Sequence, residues 1–107
     1  MASPGEAAAA LAARPGVVVF SRTTCGHSRR AKEALARVVP AERLTVVELD
    51  QRPDGEEIKA HLAAKTGTPP TVPKVFAGGG YLGDSSKVVG LAEAGRLEPE
   101  LRARGAL

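Results

Sequence analysis

Sulfur and aromatic rings are scarce in this sequence. Among 107 residues there is one cysteine, Cys25, with no tryptophan, one tyrosine and two phenylalanines. A lone cysteine excludes an internal disulfide framework and any metal site built from several thiolates of one chain. It suits a reducing compartment, so a cytoplasmic location is expected, or an organelle if a transit peptide was removed. With aromatics at 3%, the core must be made mainly from Val, Leu and Ala. No apolar run approaches the ~18–20 residues of a membrane span, and no membrane association is expected. The Ala-rich start, Met1 to Ala13, lacks the charged region and long apolar core of a signal peptide. The net charge of +3 comes without a basic run interleaved with aromatics, so nucleic acid is not expected as a partner.

What is present is ordinary soluble-domain composition, 43% hydrophobic and 25% charged, in a length that makes one domain with a modest core. Ser3-Pro4-Gly5-Glu6 opens a helix that continues through Ala7 to Ala13 and ends at Pro15-Gly16. Val17 to Phe20 is a short apolar, β-branched run bounded by turn signals, hence a buried strand. Ala31, Leu35 and Val38 recur at helical spacing within Cys25 to Val39, which Pro40 stops. Leu44 to Leu49 reads as a second strand. Asp54 caps a helix over Glu56 to Ala64, with Glu57 completing a capping box and Ile58 and Leu62 facing inward. After a proline-rich connection over 66–73, Lys74 to Ala77 is a strand. Gly78 to Gly80 makes a turn, and Tyr81-Leu82 begins a returning strand. Asp84-Ser85-Ser86 caps a helix from about Lys87 to Ala94, ended by Gly95. A last helix over Leu97 to Ala106 is broken near Pro99. Strands joined through a helix pair in parallel, and strands joined by a tight turn pair antiparallel. The order therefore predicts an α/β fold with a central four-stranded mixed sheet and helices on both faces.

Cys25 falls between the first strand and the start of a helix. Unpaired N–H groups and the helix dipole favour an anion there. Such a setting lowers a thiol from its free value of about 8.5 to roughly 3.5–7.5. Arg22 adds fixed positive charge, and His27 adds more when protonated. His61 reads as a solvated or interhelical side chain. The glycines at 78–80 lack the Gly-Lys-Ser/Thr ending of a phosphate loop and open a strand, so they read as a turn.

Four segments in this order resemble a glutaredoxin with the thioredoxin fold: "SRTTCGHS" at 21–28, "VVELD" at 46–50, "TVPKVF" at 71–76 and "GGYLGDSS" at 79–86. The resemblance covers about residues 7–102 of what is expected to be a single domain, 1–107. It implies a cis bond before Pro73, a glutathione laid along Thr71, Val72 and Pro73, and contacts from Arg22, His27, Asp84, Ser85 and Ser86. On this likeness the Val72 backbone pairs with the cysteinyl unit of the tripeptide as in strand addition. The helix start at Ser85-Ser86 receives a carboxylate. The sequence departs from the family pattern in two places. Asp84 replaces a glycine and Ser86 an aspartate, and Thr68-Pro69-Pro70 stands, one residue longer, where a glutamine is common.

The same likeness implies a function for a solitary thiol. Cys25, the catalytic nucleophile, reduces protein–glutathione mixed disulfides by a monothiol mechanism, with Ser28 where dithiol relatives carry a second cysteine. Partners would be glutathione and glutathionylated proteins, and the chain a monomer. The alternative is a carrier dimer holding a 2Fe-2S cluster through Cys25 of each copy and two glutathiones, as C-G-F-S relatives do. "CGHS" is similar to that motif, but the longer loop before the cysteine and the Trp-Pro signature of that branch are missing. The sequence therefore resembles the short-loop class more closely, and no other metal site is expected.

Overall fold

The valines at 17–19 lead a strand, β1 (Val17–Ser21), in which every residue is buried. Burial on both faces is what a continuous apolar run requires. The computed structural model describes residues 2–107 and sets β1 inside a four-stranded sheet of order β2-β1-β3-β4. The partners are β2 (Leu44–Glu48), β3 (Lys74–Ala77) and β4 (Gly80–Gly83). β1 and β2 run parallel, with Val17 beside Leu44 and Ser21 beside Glu48. β3 runs antiparallel to β1, with Phe20 beside Lys74, and β4 antiparallel to β3. The helices are α1 (Pro4–Ala12), α2 (Gly26–Ala36), α3 (Gly55–Thr66), α4 (Ser85–Glu93) and α5 (Leu97–Ala103).

Alternation along β1 divides the core in two. Val17 and Val19 pack with Ala31 and Leu35 of α2, Val88 of α4 and Leu101 of α5. Val18 and Phe20 face the other way, onto Ala8 and Ala12 of α1 and Ile58 and Leu62 of α3. The few aromatics stack on this second face. Phe20 meets Phe76 edge-on at 5.7 Å between ring centres, and Phe76 meets Tyr81 at 5.3 Å.

Several element boundaries differ from the expectation, each for a local reason. α2 ends at Ala36 rather than Val39. Pro40 disfavours helical geometry in the residue before it, and the Val38 and Val39 amides both close onto the Leu35 carbonyl in a final turn. Asp54 stands at the start of α3, yet its side chain caps nothing. It pairs instead with the Arg52 guanidinium at 2.9 and 3.1 Å, so the capping box with Glu57 does not form. α4 starts at Ser85, two residues early, because Asp84 itself is the cap and accepts from the Lys87 N–H at 3.1 Å. α5 is unbroken at Pro99. That residue lies in the first turn, where an N–H has no intrahelical partner to lose. Gly105, at φ +72°, follows its end. The hairpin turn is Gly78-Gly79, and Gly80 already belongs to β4.

The strand directions bring one set of ends together. Ser21 at the end of β1 lies beside Glu48 at the end of β2, and Phe20 beside Lys74 at the start of β3. Gly83 at the end of β4 lies beside Val75. The connections beginning at Arg22, Leu49 and Asp84, and the one ending at Pro73, therefore gather along a single edge of the sheet.

Candidate active site

Cys25 is the residue immediately before α2 and has extended backbone, so the free N–H groups of the first helical turn surround its half-buried sulfur. Burial is the largest single influence on the thiol and pushes it up. The Ser28 N–H and hydroxyl, the His27 N–H and the Arg22 charge together outweigh it and hold Cys25 below an ordinary cysteine. His27 thus acts through its backbone, whereas the sequence pointed to its imidazole. Ser28 is fully buried. Its hydroxyl oxygen also accepts from the Arg22 N–H at 3.4 Å, bracing the loop across its own turn. Apart from disfavouring an internal disulfide, Ser28 carried no role in the sequence reading, although a hydroxyl three residues after a helix-start thiol is placed to donate to it.

The loop that presents Cys25 is tied down from the turn that follows β2, residues Leu49–Gln51. The carboxylate of Asp50 receives the Thr23 N–H at 3.1 and 3.2 Å, together with the Thr23 hydroxyl. Those bonds hold Asp50 below the usual carboxylate range, the Thr23 hydroxyl first and its N–H second. One layer deeper, Glu48 accepts from the buried Ser21 hydroxyl and from the Lys32 ammonium of α2 at 2.8 Å. Neither Asp50 nor Glu48 carried a site role in the sequence reading. "ELD" leaving the second strand was their only signal.

Beside this loop a cleft of about 260 Å³ is lined by Arg22, Leu49, Asp50, Arg52, Pro53, Glu56 and Lys59. Lys59 is engaged by Glu56 at 2.8 Å. Arg22 has no ion-pair partner among the described residues, and its charge is felt by Cys25, Asp50 and Glu56 alike. One guanidinium therefore faces both the thiol and the cleft. Lys59 was not among the sequence candidates, because on α3 it reads as a solvated lysine.

The remaining candidates lie on the two neighbouring connections. Thr71 is exposed, Val72 partly buried and Pro73 buried, and the Val72–Pro73 bond is cis, as the resemblance implied. Asp84 caps α4. Ser85 is buried and Ser86 exposed, and their N–H groups belong to the helix start. His61, away from all of this, rests its ring on Gly5, where an added Cβ would come within 3.0 Å of it. Among the described residues no group of three or more His, Cys, Asp or Glu is arranged to hold a metal. With Cys25 as the one thiolate, a 2Fe-2S cluster on this chain would need a second copy and external thiols.

Comparison with known proteins matches residues 17–82 to the family model "Glutaredoxin". Glutaredoxin-C1 of Oryza sativa subsp. japonica is 40% identical over 97 residues, covering 91% of this chain and 92% of the relative. Monothiol glutaredoxin-S10 of Arabidopsis thaliana is 38% identical, covering 95% and 97%. Among solved structures, a buckwheat glutaredoxin–glutathione complex superposes with a TM-score of 0.84 at 36% identity, over 97% of this chain and 92% of the other. The holo form of glutaredoxin C1 from Populus tremula x tremuloides gives 0.84 at 39% identity, over 94% and 97%. The fold shared with these neighbours is the thioredoxin fold.

Proposed function

The chain belongs to the glutaredoxin family, and from that premise we propose that it reduces protein–glutathione mixed disulfides with Cys25 as its only thiol. The observation that carries this reading is the solitary thiol at the start of α2, held toward its thiolate by Ser28 and Arg22 with no second cysteine to trap it. The Cys25 thiolate attacks the glutathionyl sulfur. A Cys25–glutathione disulfide forms as the protein–glutathione disulfide breaks, and the protein leaves as thiolate. A free glutathione thiolate then attacks the adduct, giving oxidised glutathione and restoring Cys25. Attack on the glutathionyl side requires that glutathione, not the target protein, be the part recognised. The convergence of connections supplies the groups for that. On this reading the Val72 backbone pairs with the tripeptide, the start of α4 at Ser85-Ser86 takes one carboxylate and Arg22 with Lys59 takes the other, which the gathering of these connections at one end of the sheet supports. Asp84 sets a negative charge at the α4 end, which opposes a ligand carboxylate there.

The coarser activity, glutathione-dependent thiol oxidoreduction, belongs to the family. The finer one is tested by a coupled assay on a glutathionylated peptide with wild type and Cys25→Ser, beside the visible spectrum of anaerobically purified protein. Turnover by a colourless monomer, abolished in C25S, is expected. Activity surviving in C25S would end the mechanism. A coloured, glutathione-dependent dimer without turnover would favour the cluster-carrying alternative.

A further inference from the structure

Among the described residues, Lys74 is the one charged side chain in the buried set, 2% exposed. It opens β3 directly after Pro73, and its neighbours Val75, Phe76 and Ala77 are all apolar and buried. No carboxylate of the described residues lies within ion-pairing distance. Its ammonium donates instead to two main-chain carbonyls, Pro69 and Thr71, each at 2.7 Å. Burial pushes this lysine below its ordinary value, with Asp84 pulling it up and Lys59 pushing it further down. A buried cation without a counter-ion costs folding free energy that an aliphatic side chain at the start of β3 would not. The segment it grips explains what the charge does. Pro69 and Pro70 have no N–H groups. The stretch is otherwise held by the Thr68 N–H on Ala63 at 3.2 Å, the Thr66–Thr68 hydroxyl pair at 2.6 Å and the Thr71 N–H on Pro69 at 2.8 Å. The ammonium thus takes the place of a hydrogen-bond ladder under residues 69–71, the three that lead into Val72. At the start of β3 Lys74 directly follows Val72-Pro73, the segment assigned to the ligand, and Lys59 and Asp84 are the charged groups that act on it.

We propose that Lys74 is a positioning residue for glutathione: it fixes the Pro69–Thr71 backbone so that Val72 presents its main chain to the tripeptide, and it adds positive charge close to a ligand that carries two carboxylates and one ammonium. The inference rests on the glutathione site proposed above and adds a buried residue that does not itself touch the ligand. Lys74→Met removes donors and charge, and Lys74→Gln keeps a donor without charge.

The experiment measures KM and kcat for the glutathionylated peptide in wild type, K74Q and K74M. It is run with reduced glutathione saturating, beside circular dichroism and the pH midpoint of Cys25 alkylation. The expected result is a KM raised by about tenfold in K74M, the order expected for loss of charge-assisted hydrogen bonds, with a smaller rise in K74Q. The alkylation midpoint and kcat stay at wild-type values. A folded K74M with wild-type KM overturns the inference and leaves the proposed function standing. A wild type without glutathione-dependent turnover defeats that function itself. Should both variants fail to fold, S-methylglutathione, which forms no disulfide, is titrated into the unmodified protein. Shifts of the Lys74 side-chain and Val72 amide resonances support the role, and shifts confined elsewhere overturn it.

Discussion

At the scale of residues, the proposed chemistry reduces to how one sulfur is drawn toward its anion. The thiolate has its donors in the first turn of α2, from the Ser28 N–H and hydroxyl and the His27 N–H, with Arg22 as the nearby charge. Removing the hydroxyl leaves burial of the thiol, which favours its neutral form, less opposed. Ser28→Ala should therefore raise the pH midpoint of iodoacetamide alkylation toward the free-thiol value of about 8.5. A midpoint already at that value in the wild type would mean the donors do not act on the sulfur. The sign for stability follows from the same shift. A thiol whose pKa is lower in the folded state contributes stability that is complete above its unfolded pKa and is lost as pH falls through the folded value. Arg22 and the helix start were visible in the sequence because charge and strand-to-helix junctions can be read there. Ser28, Asp50, Lys59 and Lys74 were not, since each depends on what the fold places opposite it. A serine after a cysteine, an aspartate after a strand and a lysine opening a strand all have surface readings that no spacing rule excludes.

At the scale of elements, the sheet and its flanking helices follow from patterns that tertiary structure did not override. The valine run became the fully buried β1, and the glycine hairpin joined β3 to β4. The departures lie at element ends, where competing local partners decide. Asp54 had both a helix to cap and Arg52 two residues before it, and the ion pair won. Asp84 had no such competitor and took the cap. One close approach matters to the site. Gly55, the first residue of α3, lies against the turn that carries Asp50, so an added Cβ would collide with the Leu49 carbonyl group, approaching its carbon at 2.8 Å. The Asp50 carboxylate on that turn holds Thr23 in the Cys25 loop. Gly55→Ala should thus lose about 1–3 kcal/mol of stability through overpacking, even though alanine is the better helix former. Urea unfolding would show this as a lower midpoint at unchanged slope. A variant as stable as wild type would mean that the turn yields freely and does not brace the loop.

At the scale of the whole molecule, a 107-residue chain with so few aromatics builds its core from an aliphatic layer on one face of a four-stranded sheet and a mixed layer with its few aromatics on the other. Strand direction gathers the Cys25 loop, the Val72–Pro73 connection and the Asp84-capped helix start along one edge. On the proposed reading the overall positive charge, +3, favours approach of an anionic tripeptide, and Arg22, which acts on Cys25 and also lines the neighbouring cleft, is the local source of that preference. In the proposed mechanism this one sulfur takes glutathione from another protein and holds it without help from a second cysteine. The direct measurement is intact-protein mass spectrometry after mixing reduced protein with a glutathionylated peptide, with no free glutathione present. The account predicts a mass gain of one glutathionyl group on Cys25, stoichiometric release of the free peptide, and reversal when reduced glutathione is added. Attachment of the peptide in place of the glutathionyl group, or no adduct at all, would contradict it.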